Sequence, residues 1–122
     1  MATSSYRDLK VWKSRVDLAV LVYRSTESFP AAERFGLTIQ LRRAAVSVPS
    51  NIAEGQSRKS ARDFLRFLHI AEGSLAEIET QLEIARQLNW INEQPLDSLL
   101  NECQEIGKML NGLTRAIHNK LR

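Results

Sequence analysis

The chain has 122 residues, 43% hydrophobic and 25% charged, with a formal net charge of +3. This length supports one domain around one core, and the composition excludes a disordered or fibrous chain. The single cysteine, Cys103, excludes an internal disulfide and favours a reducing compartment. No apolar run is long enough to span a membrane, and the first residues hold no apolar signal core. A cytoplasmic protein with no membrane partner is therefore expected.

Apolar spacing predicts four helices. The first covers about 8–27, with Leu9, Trp12, Val16, Ala19, Val20 and Tyr23 as its core seam. It stops at Ser28-Phe29-Pro30, because a residue before proline is pushed away from helical angles. Ala31 to Phe35 is expected to form a short helical turn. After Gly36, Thr38 is the expected N-cap of a second helix over 38–54, which Gly55 closes as a C-cap. Pro49 lies inside it, removes one backbone hydrogen bond and predicts a kink.

The third helix is the longest, over 60–87. Ser60 and Asp63 resemble a capping box, and Phe64, Phe67, Leu68, Ala71, Leu75, Ile78, Leu82 and Ala85 form a heptad-like seam. Trp90, in the following loop, is expected either to cap the end of the domain or to stack on a partner. Pro95 suits the first turn of a fourth helix over 95–119. Leu96, Leu99, Leu100, Cys103, Ile106, Met109, Leu110, Leu113 and Ile117 give its seam. Short connections favour antiparallel neighbours, so the expected architecture is all-α: one up-down-up-down antiparallel four-helix bundle spanning 1–122.

The second helix differs from the others. Leu37, Leu41, Ala44, Ala45, Val48 and Ile52 make a core stripe, while Ile39, Val46 and Ala53 fall on nearly the opposite face. A helix apolar on two sides is usually covered on two sides, which in so small a bundle points to a second subunit. Scattered apolar residues on a surface are the plain alternative. Between these stripes run Gln40, Arg43, Ser47, Asn51 and Glu54. If a subunit covers that face, they must hydrogen-bond to one another or across the contact, because unpaired buried polar groups are costly. The plain alternative is a solvated face. Ile39, Val46, Ala53, Ser47, Asn51 and Glu54 are thus the candidate interface, with Arg43 expected to pair either with Glu54 or with a neighbouring subunit.

Charge is unevenly spread. Residues 33–66 hold seven basic and three acidic groups, whereas 67–122 hold five basic and eight acidic. The basic quarter marks either a polyanion site or one half of an intramolecular charge match. Arg42, Arg43, Arg58, Lys59, Arg62 and Arg66 are the candidate nucleic-acid contacts. Arg58, Lys59 and Arg62 fall near the start of the third helix, where free N–H groups also favour anions.

Catalytic chemistry finds no support, so no catalytic residue, metal or cofactor is expected. His69 and His118 lie on different helices. The His69/Glu72 spacing reverses the order used in di-iron bundles, and the seams carry no carboxylates. Cys103 sits in an apolar seam, where cysteine behaves as a small hydrophobe. The stretch from Gly55 to Ser60 lacks the phosphate-loop pattern.

Several segments carry a family resemblance: Leu9-Lys-Val-Trp12, Phe29-Pro30, Phe35-Gly-Leu37, Gln40-Leu-Arg-Arg-Ala-Ala-Val-Ser-Val-Pro-Ser-Asn-Ile-Ala-Glu-Gly55 with Arg58, Phe64-Leu-Arg-Phe67, Ala71-Glu-Gly-Ser-Leu75 and Glu77-Ile-Glu-Thr-Gln81. In this order the chain resembles the four-helix-bundle proteins encoded in intervening sequences of bacterial 23S rRNA genes, once labelled ribosomal proteins. It is also similar to the accessory variability protein of diversity-generating retroelements. The resemblance implies a ring-like homopentamer. In the retroelement branch it further implies a basic surface for nucleic acid and a reverse transcriptase partner; for the intervening-sequence branch it implies no settled activity. The expected function is a non-enzymatic, oligomeric accessory protein that binds RNA or DNA. The alternative is a structural or protein-binding scaffold with no direct nucleic-acid role.

Overall fold

The computed structural model describes residues 10–121, so Leu9 and the expected helical position Asp8 lie outside the described residues. Four helices form: α1 (Lys10–Ser25), α2 (Leu37–Gln56), α3 (Ala61–Gln87) and α4 (Glu93–Lys120), with no strand among the described residues. Two short 3-10 turns, Thr26–Ser28 and Ala31–Glu33, link α1 to α2. The second of them is the helical turn expected there. Side-chain partners fix the directions. Arg42 early in α2 reaches Thr26 and Tyr23 at the end of α1, Ser47 meets Ser74, and Gly107 of α4 faces Leu75. Consecutive helices are antiparallel, and α1 also packs on α4, so the bundle closes in chain order.

The α3 seam is the one expected. Phe67, Leu68, Ala71, Leu75, Ile78, Leu82 and Ala85 are buried and Phe64 half-buried. Ser60 caps the helix, its Oγ accepting from the Asp63 N–H at 3.0 Å. Of the expected α4 seam, Leu96, Leu99, Cys103, Ile106, Leu110 and Ile117 are buried, whereas Leu100, Met109 and Leu113 are only half-buried at its edges. That helix starts two residues before Pro95, at Glu93. Pro95 still falls among the first four positions, whose N–H groups have no partner within a helix. Asn89 turns the α3–α4 loop with φ 60°, which asparagine tolerates better than most residues. Trp90 packs on Phe29 with ring centroids 6.0 Å apart and so caps the end of the bundle.

Three expectations are corrected. The inward face of α1 is Arg15, Leu18 and Val22, each fully buried. Of the expected seam, Val20 and Tyr23 are 42% and 44% exposed, and Trp12, Val16 and Ala19 are only half-buried. The helix has two apolar stripes, and the one that faces the core carries an arginine. Thr38 is not an N-cap; it is buried inside α2, which begins at Leu37. The cap comes from the preceding turn, where Glu33 Oε1 accepts the Leu37 N–H at 3.0 Å. Gly55 is not a C-cap either. It lies inside α2 without a positive φ. A Cβ there would come within 2.7 Å of Phe67 Cβ and 2.9 Å of Phe64 Cδ1. What this glycine supplies is close approach of α2 to α3. The helix also continues past Pro49, whose ring is buried, to Gln56.

Candidate nucleic-acid interface

Where α2 ends and α3 begins, the chain gathers cations. Arg58, Lys59, Arg62 and Arg66 are all exposed and lie within about two helical turns of sequence. The Arg58 guanidinium sits over the Phe67 ring at 5.0 Å and that of Arg66 over the same ring at 4.7 Å. One nearly buried aromatic side chain thus orders two like charges beside each other. Arg58 also donates to Glu54 Oε2 at 3.1 Å. Such a cluster repels itself, and an anion bound across it would relieve the repulsion.

The other two candidate arginines stand apart. Arg42 is half-buried and works within the fold. Its Nε donates to Thr26 Oγ1 at 2.8 Å, its Nη2 donates to the Tyr23 carbonyl at 3.2 Å, and its guanidinium lies 4.7 Å over the Tyr23 ring. It clamps the end of α1 to α2. Arg43 is exposed but lies about 18 Å along α2 from Gly55. Nor does Arg43 take Glu54, whose partner is Arg58.

The structure adds cations that sequence reasoning missed. The antiparallel α3–α4 pairing brings the last turns of α4 beside the first turns of α3. A groove of about 700 Å³ runs there, floored by Leu65, Ile70 and Leu121 and rimmed by Arg62, Arg66 and the two histidines, His69 and His118. A neighbouring recess adds Arg115. The signal was present in the sequence, because a basic last turn suits a helix C-terminus, but it needed the pairing to give it a location. His69 Nδ1 is 2.9 Å from Glu72 Oε1 on the same helix.

Carboxylates collect at the opposite end of the α3–α4 hairpin: Glu77, Glu79 and Glu83 on α3, Glu93, Asp97 and Glu102 on α4. Glu83 is held down to about 2 by hydrogen bonds from Arg86 and then Gln87. Among the described residues, each ion pair joins groups three or four apart in sequence, and none ties the basic quarter to this acidic end.

The candidate subunit surface divides in the same way. Val46 is 42% exposed and lines a groove of about 480 Å³ with Val16, Val20, Tyr23 and Pro49, so the displaced stripe of α1 and the second stripe of α2 meet. Ile39 and Ala53 are half-buried. Ser47 and Asn51 are satisfied within the chain. The Ser47 hydroxyl pairs with that of Ser74 at 2.8 Å, and Asn51 Nδ2 donates to the Ser47 carbonyl at 2.8 Å and its Oγ at 2.9 Å.

Cys103 is buried, and desolvation, reinforced by Glu79 and Glu102, pushes its thiol up to about 12. A thiol so rarely ionised is a poor nucleophile. Among the described residues no group of three or more metal-ligating side chains gathers, and no helix is long and apolar enough to cross a membrane.

Comparison with known proteins agrees with this bundle. No curated protein matches the sequence. The crystal structure of a protein of unknown function from the S23 ribosomal protein family of Bacteroides thetaiotaomicron is similar, with a TM-score of 0.80 and 25% identity over 86% of this chain and 95% of that one. The model of the 23S rRNA-intervening sequence proteins matches residues 7–112. With its helices and nearly its whole length accounted for, the chain belongs to the 23S rRNA-intervening sequence protein family.

Proposed function

We propose that this protein is a non-enzymatic accessory protein that binds the phosphate backbone of RNA or DNA, without strong sequence preference, through the corner where α2 meets α3. The observation that carries the proposal is the pair of guanidiniums, Arg58 and Arg66, held over one Phe67 ring, with Lys59 and Arg62 exposed beside them. Arginine suits phosphate because its planar fork donates two hydrogen bonds at once. One subunit presents few charges, but an oligomer repeats them and gains by multivalency. A homo-oligomer, a pentamer by the resemblance, supplies that repetition, and the resemblance to retroelement accessory proteins makes a reverse transcriptase the candidate protein partner.

Titration of labelled RNA and DNA at low and physiological salt tests the binding. Affinity is expected to fall with salt, with a log–log slope of about −0.9 per duplex phosphate neutralised, or about −0.7 for single strands. Changing Arg58, Lys59 and Arg62 together to glutamate is expected to abolish binding without altering the oligomer mass. Absence of binding at low salt, or binding indifferent to the triple change, would leave a scaffold role as the better account.

Self-association is assigned to the α1–α2 groove. Val46→Glu, which would place a charge in that apolar contact, is expected to lower the mass seen by light scattering while leaving the helical circular dichroism unchanged. A wild-type protein that scatters as a monomer at micromolar concentration overturns the assignment.

A further inference from the structure

The basic corner does not end on α3. No Asp or Glu follows Glu105 in the sequence, whereas Arg115, His118 and Lys120 do. The antiparallel pairing carries these last turns of α4 back beside Arg62 and Arg66. Among the described residues, Arg62, Arg66, Arg115 and Lys120 enter no ion pair. The neighbouring acids do not neutralise them. Glu54 is bound to Arg58 and Glu72 to His69, while Asp63 is exposed and lines neither the groove nor the recess beside it. Between these cationic edges the surface is apolar. Leu65, Ile70 and Leu121 floor the groove, and the two histidines line it from opposite helices. The recess that holds Arg115 shares Leu65 and both histidines with it, so the two adjoin. Ile70 is left 41% exposed.

We propose that this groove takes unstacked bases of a single strand of RNA or DNA, while the strand's phosphates rest on Arg62, Arg66 and Arg115. The inference rests on the phosphate contact proposed above and adds a base contact to it. A bare polyanion would leave the apolar floor wet. An acyl carboxylate would cover that floor, but the groove is walled by two helices and open on its outer side, so a long chain would stay wetted along its length. A nucleobase is flat, apolar on its faces and tethered to a phosphate, and so matches both the floor and the rim. Imidazole and guanidinium planes are stacking surfaces for splayed bases. The hydrogen bond from His69 Nδ1 to Glu72 Oε1, at 2.9 Å, holds one such ring in place. Every base has a stacking face, so the preference is for an unpaired strand and not for a sequence. A duplex keeps its base faces inside the stack and offers this groove nothing.

Removing the bases and keeping the phosphates tests this directly. The probes are a labelled thymidine strand of about 12 nucleotides and an abasic strand of the same length, with tetrahydrofuran in place of every nucleoside. The full chain is expected to bind the base-bearing strand about tenfold more tightly or better. That ratio is expected to persist as salt is raised, because counterion release acts on phosphates common to both strands. Ile70→Ser removes part of the floor without changing charge. It is expected to weaken the thymidine strand several-fold and to leave the abasic strand and a duplex unaffected. Ile84→Ser alters an equally exposed isoleucine of α3 outside the groove and is expected to change none of them. Equal affinity for the two strands overturns the base contact and leaves the phosphate contact standing. A ratio unmoved by Ile70→Ser, or moved as much by Ile84→Ser, overturns the assignment to this groove. Failure of both strands to bind at low salt removes the phosphate contact itself, and the base contact with it.

Discussion

Arg15→Met is expected to stabilise the protein by about 1–4 kcal/mol. The Arg15 side chain is fully buried between α1 and the rest of the bundle, and none of Nε, Nη1 and Nη2 has a hydrogen-bond partner. Desolvation pushes its guanidinium down to about 9 from an ordinary value of 12.5, against the pull of Glu102 and Cys103. A charge held in such a place costs free energy in the folded state that it does not cost in water. Methionine keeps an unbranched, flexible stem able to fill the same space and brings no charge. Urea denaturation of the two proteins checks this, with the slope unchanged and the midpoint raised. A midpoint that falls would mean that the guanidinium pairs with Glu102 in solution and holds α1 to α4.

Leu82→Ala is expected to act in the other direction and to cost roughly 2–5 kcal/mol. Leu82 is fully buried in the α3 seam, and its truncation removes apolar contact and leaves a cavity that neighbouring helices fill only in part. Thr80, two residues earlier, is exposed and donates its hydroxyl to the Ala76 carbonyl. Thr80→Ala is the matching control and is expected to stay within about 0.5 kcal/mol. Equal midpoints for the two variants would place Leu82 outside the core.

The contrast between these two positions shows what the sequence can and cannot convey. The α3 seam was legible because one apolar stripe repeats over the full length of the helix. Ser60 was legible because its cap bond is local. On α1 the rule that charges stay outside chose the wrong face, since Leu18 and Val22 are accompanied inward by Arg15. At Gly55 the residue type fits two roles, helix termination and close packing, and only the position of Phe67 decides between them. The candidate site was half legible. Arg58, Lys59, Arg62 and Arg66 are close in sequence and therefore close in space. Arg42 shares their chemistry but serves the α1–α2 junction, through Thr26 sixteen residues away. Conversely, His118 joins the groove, and Arg115 the recess beside it, only through the antiparallel α3–α4 pairing.

Cys103 gives this molecule a built-in clock. It is the sole thiol of the chain, buried in α4 and seldom ionised. A disulfide reagent in solvent reaches it only when α4 lifts from the bundle, so the labelling rate of the unmodified protein reports how often the core opens. Under fast reclosing that rate follows the opening free energy itself, and one absorbance trace can rank variants without denaturant.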